Sequence, residues 1–193
     1  MARSENLLLQ RYKGTANLRV HNGRIIVERS DVRYCSDGFD IRCDNGECVR
    51  VTFSLDCCDR QAIAFAGTTA GISGELVRDV MVQTIENRFG DATELPYPAE
   101  WLSDNGSGYI ARETRRFALD LGFIFIPCRT PYRSPESNGM AEAFVKTFKR
   151  DYVKINPRPD AQTVLECLPA WFVDYNEVHP HSKLAYRFAE RVP

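Results

Sequence analysis

Histidine is scarce in this sequence: three in 193 residues, beside two tryptophans and three methionines. No Cys/His set has the spacing of a zinc centre. Cys43 and Cys48 flank Asp44-Asn45-Gly46-Glu47, but no second pair completes a tetrahedral site, and His179 and His181 have no suitably spaced partner. The seven cysteines are an odd number, and Cys57 and Cys58 are adjacent. That is a poor disulfide framework, and it points to a reducing, cytoplasmic setting. Apolar runs long enough to span a bilayer are missing, as is a signal-peptide pattern, so no membrane association is expected. Net charge is nearly absent as well, at -1, so bulk electrostatics select no partner.

What is present is an ordinary globular composition, 44% hydrophobic and 26% charged. The length suits one domain with an appendage and can bury a sizeable core. The charge is unevenly placed. Residues 1–33 carry Arg3, Arg11, Lys13, Arg19, Arg24, Arg29 and Arg33 against Glu5, Glu28 and Asp31. A second basic zone holds Lys146, Lys149, Arg150, Lys154 and Arg158 against Asp151 alone. Such zones fit a local phosphate-binding surface, although a solvated face is their commoner fate. Residues 1–31 are polar, basic and weakly periodic, and are expected to form an arm or linker, with residues 32–193 as the core and a C-terminal helical segment.

From Val32 the pattern is β. Tyr34–Arg42 and Val49–Leu55 read as strands joined by the Asp44-Asn45-Gly46 turn, and Gln61–Gly67 as a third. Then the period changes. Val77, Met81, Ile85 and Phe89 lie on one helical face, with Ser73 as N-cap and Gly90 past the end. A short strand over 100–103 precedes Asp104. A helix over 111–121 has Ile110, Thr114, Phe117, Ala118 and Leu121 on one side, and 123–128 is a fifth strand. The helix over 140–153 carries an Ala141, Val145, Phe148 and Tyr152 stripe. A last helical stretch starts near Ala161, where Pro169 is expected to interrupt it or start a new segment. A meander followed by βα units predicts an α/β fold, a five-stranded mixed sheet flanked by helices, in the RNase H-like layout.

Three carboxylates stand out. Asp37 shares a strand face with Cys35, Phe39 and Ile41, and an acid on an apolar face needs a partner or a cation. Asp104 follows the fourth strand, the expected neighbour of the first. Glu142 lies in the first turn of the helix after a Pro/Ser/Asn/Gly loop. A lone Asp at a strand end is usually a turn residue, and a lone Glu in a first turn usually just favours the dipole. Together the three would repel unless a cation neutralised them, and Mg²⁺ suits such hard oxygen donors. Asp40, on the opposite face, and Asp56, at a strand end, compete for the first position. Glu142, Lys146 and Lys149 share a helix face, so a basic track could lead from the acid.

The segments Ser103-Asp104-Asn105-Gly106-Ser107 and Ser134-Pro135-Glu136-Ser137-Asn138-Gly139-Met140-Ala141-Glu142 resemble the second- and third-acid motifs of retroviral integrases and insertion-sequence transposases. Cys35-Ser36-Asp37-Gly38-Phe39 resembles the first-acid strand of one transposase subgroup, and Tyr175-Asn176 with Pro180-His181 resembles a segment after the core. The resemblance spans about residues 32–187. It implies Asp37, Asp104 and Glu142 as a DDE catalytic and metal-binding triad for Mg²⁺, two ions, with Mn²⁺ as a substitute. It implies Asn138, Lys146, Lys149 and Arg150 as DNA contacts. It also implies DNA cleavage and strand transfer, an oligomer on paired DNA ends, and an upstream helix-turn-helix protein or fused domain. Rival readings are a regulatory DNA-binding remnant and a nuclease without strand transfer. Between Asp104 and Glu142 stand 37 residues, two more than the family commonly has.

Overall fold

The computed structural model describes residues 27–103, 106–127 and 139–180. Five strands form one sheet: β1 (Arg33–Arg42), β2 (Cys48–Asp56), β3 (Ala62–Thr68), β4 (Ala99–Ser103) and β5 (Phe123–Pro127). Their order is β3-β2-β1-β4-β5. The first three pair antiparallel, while β4 is parallel to both β1 and β5. Helices α1 (Gly74–Phe89), α2 (Ser107–Ile110) and α3 (Arg112–Asp120) belong to one face; α4 (Gly139–Phe148) and α5 (Ala161–Glu177) belong to the other. The meander and the βα units therefore form as the pattern predicts.

Alternation along β1 serves two cores. Cys35, Phe39 and Ile41 face α4 and α5, where Phe144, Phe148 and Phe172 are buried. Tyr34 faces α1 among Val77, Met81, Ile85 and Trp101. Aromatic rings fasten the first layer: Phe53 lies 4.3 Å from Phe144, and Phe148 lies 4.7 Å from Phe172, centroid to centroid. The caps form as expected. Ser73 Oγ accepts from the Leu76 amide at 3.2 Å, and Gly90 takes φ 66° while donating to Glu86. Gly46, at φ 92°, closes the first hairpin, where only a residue without Cβ is unstrained.

Three local expectations change. The helix expected over 111–121 forms as α3, but Ile110 of its expected face falls in a separate short helix, α2, divided from it by the extended Ala111 (φ -53°, ψ 137°). The Thr114 hydroxyl donates to Gly108 O at 2.9 Å across that break. In α4 the buried stripe is Ala141, Phe144 and Phe148, with Val145 only partly covered. The chain then widens into a π-helical turn, Lys149–Val153, which buries Tyr152 and Val153 together.

Finally, α5 runs through Pro169 without a break. Proline removes the N–H that would reach Leu165 O. Pro169 is exposed, though, so water can serve the orphaned carbonyl, while buried Leu168, Trp171 and Phe172 hold the helix down. Pro169→Ala should restore that bond and stabilise the fold by about 1–3 kcal/mol, read from the urea midpoint.

Ser30 and Asp31, the last residues of the expected arm, are buried. Asp31 packs against the end of β2 through its amide, which donates to Asp56 at 2.6 Å.

Candidate active site

Asp37 sits in the middle of β1, half-buried, on the face that α4 covers. Its Oδ1 accepts the Gly38 amide at 2.7 Å, which limits the carboxylate's rotation. Across the ladder it pairs with Phe53, the residue that packs against Phe144 of α4. Two residues before Phe144, Glu142 stands exposed in the first turn of α4. The Phe53–Phe144 contact therefore brings that turn over the strand pair that holds Asp37.

The parallel ladder joins β1 to β4 and ends at Ser36 opposite Ser103. In sequence the next residues are Asp37 and Asp104. Asp104 lies outside the described residues, as does Asn138. Among the described residues no group of three His, Cys, Asp or Glu side chains is placed to hold a metal ion. Two of the three expected acids thus share a face.

The competing acids are elsewhere. Asp40 is exposed on the α1 face, 3.9 Å from Arg50 Nε. Asp56 is fully buried on that same face, opposite Tyr34. It belongs to a cluster that sequence spacing could not show: Asp31, Asp56 and Asp59 around one cation, Arg88. Burial, with the Asp59 charge beside it, pushes the Asp56 carboxyl up to about 6.

The basic residues divide. Lys146 is exposed one turn beyond Glu142. Lys149 is half-buried, with Nζ 5.6 Å from the Phe39 ring centre, so its stem lies along the core and its charge over an aromatic face. Arg150 is exposed but forked on Asp151, at 2.5 and 2.6 Å. That pairing holds the Asp151 carboxyl below the usual carboxylate range and the Arg150 guanidinium above its own. His179 stacks on Tyr175 and lies 3.8 Å from Asp151; burial lowers its pKa. Asp151 therefore competes with any phosphate for Arg150. Asp151→Asn should free the guanidinium, strengthen non-specific DNA binding at low salt and steepen the salt dependence by about one unit of slope. A DNA titration by fluorescence anisotropy at several salt concentrations checks it.

With this geometry in view, sequence comparison is informative. Two family profiles, both described as integrase core domain, match residues 27–133 and 127–188. The chain belongs to the integrase core family. It is 54% identical over 187 residues to the InsD chain of insertion element IS2E from Escherichia coli strain K12, covering 96% of this chain and 84% of that one. Identity is again 54% to the transposase InsD for insertion element IS2D of the same strain, of whose length the chain spans 61%. Among solved structures, the magnesium complex of the HTLV-2 integrase catalytic core in its trimeric form overlays with TM-score 0.60 at 10% identity, over 83% of this chain and 95% of that. The Mos1 transposase catalytic domain with raltegravir and magnesium gives 0.56 at 14% identity, over 73% and 70%. These overlays show the RNase H-like fold, as the strand order indicates.

Family membership makes the metal question concrete. Asp37 and Glu142 offer hard carboxylate oxygens from two elements on one side of the sheet, one half-buried and one open to solvent. That donor chemistry fits Mg²⁺ or Mn²⁺ and does not fit a soft-metal centre.

Proposed function

We propose that this chain is the catalytic core of an insertion-sequence transposase that cleaves DNA at the element's ends and joins those ends to a target. The observation that carries the reading is the placement of Asp37 and the first turn of α4 on one face of an integrase-core sheet. In the reaction, water opens a phosphodiester at the element end. The 3′-hydroxyl so released then attacks a phosphodiester of the target.

The residues of the chain prepare this chemistry. Pairing with Phe53 of β2 and the Gly38 amide fix Asp37, one residue past the end of the β1–β4 ladder. Glu142 approaches from a helix anchored through Phe144 and Phe148, and Asp104 is the proposed third acid. Together these carboxylates would hold two Mg²⁺ ions, with Mn²⁺ as a substitute. Bound metal supplies charge neutralisation at the scissile phosphate and an activated attacking oxygen. Lys146 continues from Glu142 along the exposed side of α4 and guides the DNA backbone toward the acids. Asn138 and Lys149 serve the same strand, and Arg150 does so once Asp151 releases it.

Several copies of the chain would work on paired DNA ends, with end recognition supplied by an upstream helix-turn-helix protein or fused domain. No helix among the described residues is long and apolar enough to cross a membrane. A cytoplasmic setting, on the nucleoid when DNA is bound, fits a protein that acts on DNA.

The test is strand transfer of labelled element-end DNA with Mg²⁺, comparing the chain with Glu142→Gln. Loss of joined product in the variant is expected. Equal product from both would overturn the triad.

A further inference from the structure

We infer that Tyr109 is a positioning residue of the proposed metal site, acting from behind the sheet through Thr52. The inference rests on the metal-dependent reading above. Its starting point is the short helix α2, four residues long, which is too short to be stable alone and whose N-cap Gly106 provides no side-chain hydrogen bond. Something else must fix the chain beyond β4.

Tyr109 does this. The side chain is 3% exposed, and its hydroxyl lies 2.6 Å from Thr52 Oγ1 on β2. Thr52 is fully buried and stands opposite Gly38, the residue whose amide bonds the Asp37 carboxylate. Three close approaches complete a ring around the same spot. A Cβ on Gly38 would meet Ile72 Cδ1 at 2.4 Å. One on Gly108 would meet Ile72 O at 2.9 Å and the Ser73 carbonyl carbon at 3.1 Å. One on Gly74 would meet Thr114 Oγ1 at 2.7 Å, and that hydroxyl is bonded to Gly108 O.

The path therefore runs from Gly38 to Ile72, to Gly108, to Tyr109, to Thr52, and back across the ladder to Gly38. It ties the β1 backbone beside Asp37 to the backbone that follows the segment bearing Asp104 in sequence. Both described flanks of that segment are held: Ser103 by the ladder to Ser36, and α2 by this ring. The hydroxyl pair sits on the α1 face, the side of the sheet opposite Asp37, so Tyr109 acts on that carboxylate through the backbone. Its role is to hold the β1 backbone that carries Asp37.

A second buried hydroxyl pair on the same face supplies a control. Ser54 and Thr84 lie 2.6 Å apart, joining β2 to α1 without touching α2. Tyr109→Phe and Thr52→Val each remove the first bond and keep the packing; Thr84→Val removes the second. Mn²⁺ binding is measured by calorimetry on all variants and on Asp37→Asn, with urea midpoints alongside.

Tyr109→Phe and Thr52→Val should each weaken Mn²⁺ about tenfold, the size expected when a supporting partner of a metal ligand is lost. Their combination should weaken it no further than either alone, and Thr84→Val should leave it within about twofold of the parent. Mn²⁺ affinity unchanged in Tyr109→Phe while Asp37→Asn abolishes binding would overturn the positioning role alone. An equal loss in Thr84→Val at matched stability would do the same, since general loosening would then account for it. Binding that survives Asp37→Asn would overturn the metal reading itself, and this inference with it.

Discussion

Replacing Arg88 by methionine should cost about 3–5 kcal/mol of stability at pH 8, and clearly less at pH 5. Arg88 is the cation held between three carboxylates: its Nε is 2.9 Å from Asp31 Oδ1, and its Nη2 is 2.7 Å from Asp59 Oδ2 and 3.7 Å from Asp56 Oδ2. The Arg88 side chain is 5% exposed, so water screens these charges poorly. The carboxylates are also well bonded. Asp56 accepts the amides of Asp31, Cys58 and Asp59; Asp59 accepts Ser30 Oγ and the Gln61 amide; Asp31 accepts the Tyr34 hydroxyl at 2.8 Å. Those bonds survive the substitution. What is lost is the positive charge, and three buried acids then face one another.

The pH dependence follows from the sign of the Asp56 shift. Burial, then the Asp59 charge, raises its folded pKa to about 6, above its ordinary 3.8. Such a group binds its proton more tightly in the folded state. Its contribution is fully present below about pH 4 and is lost as pH rises through about 6. Without Arg88 the proton should be held to higher pH still, so acid relieves the variant more than the parent. Urea midpoints for both proteins at pH 5 and pH 8 decide the matter. An equal penalty at the two pH values would mean that lost packing of the arginine stem, and not charge, dominates.

This cluster also shows where reading the sequence stops. Asp31, Asp56 and Asp59 are far from Arg88 along the chain, and no local period connects them. Only the ladder, which sets Tyr34 opposite Asp56, and the last turn of α1 bring them together. Asp56 alone therefore looked like a rival first acid.

Elements written in local code were legible: the Ser73 cap, the Asn45-Gly46 turn, and the Val77, Met81 and Ile85 face. Elements decided by tertiary packing were not. Pro169 reads as a helix breaker, yet the buried face around it outweighs one lost hydrogen bond. The π-helical turn shifts every side chain after Phe148 off the 3.6-residue period, so the Arg150–Asp151 fork has no helical spacing to announce it. The place of Asp37 on its strand face was legible for the opposite reason. Asp37 is an acid on a face of Cys35, Phe39 and Ile41, a local conflict that invites a functional explanation.

Asp37→Asn should separate function from stability. Asparagine has nearly the shape of aspartate, and its carbonyl oxygen can still accept the Gly38 amide that Asp37 Oδ1 accepts at 2.7 Å. The substitution removes a charge from a half-buried position on an otherwise apolar face, which lowers the cost of desolvation when no metal is bound. The urea midpoint should therefore stay level or rise. Strand transfer should fall by at least about 10²–10³-fold, the scale on which removing one electrostatic element of a catalytic site acts. A residue held only for packing would give the reverse, with lost stability and retained activity, and that result would remove Asp37 from the site. A rise in stability with lost activity would instead mark Asp37 as a position where the fold gives up stability for catalysis.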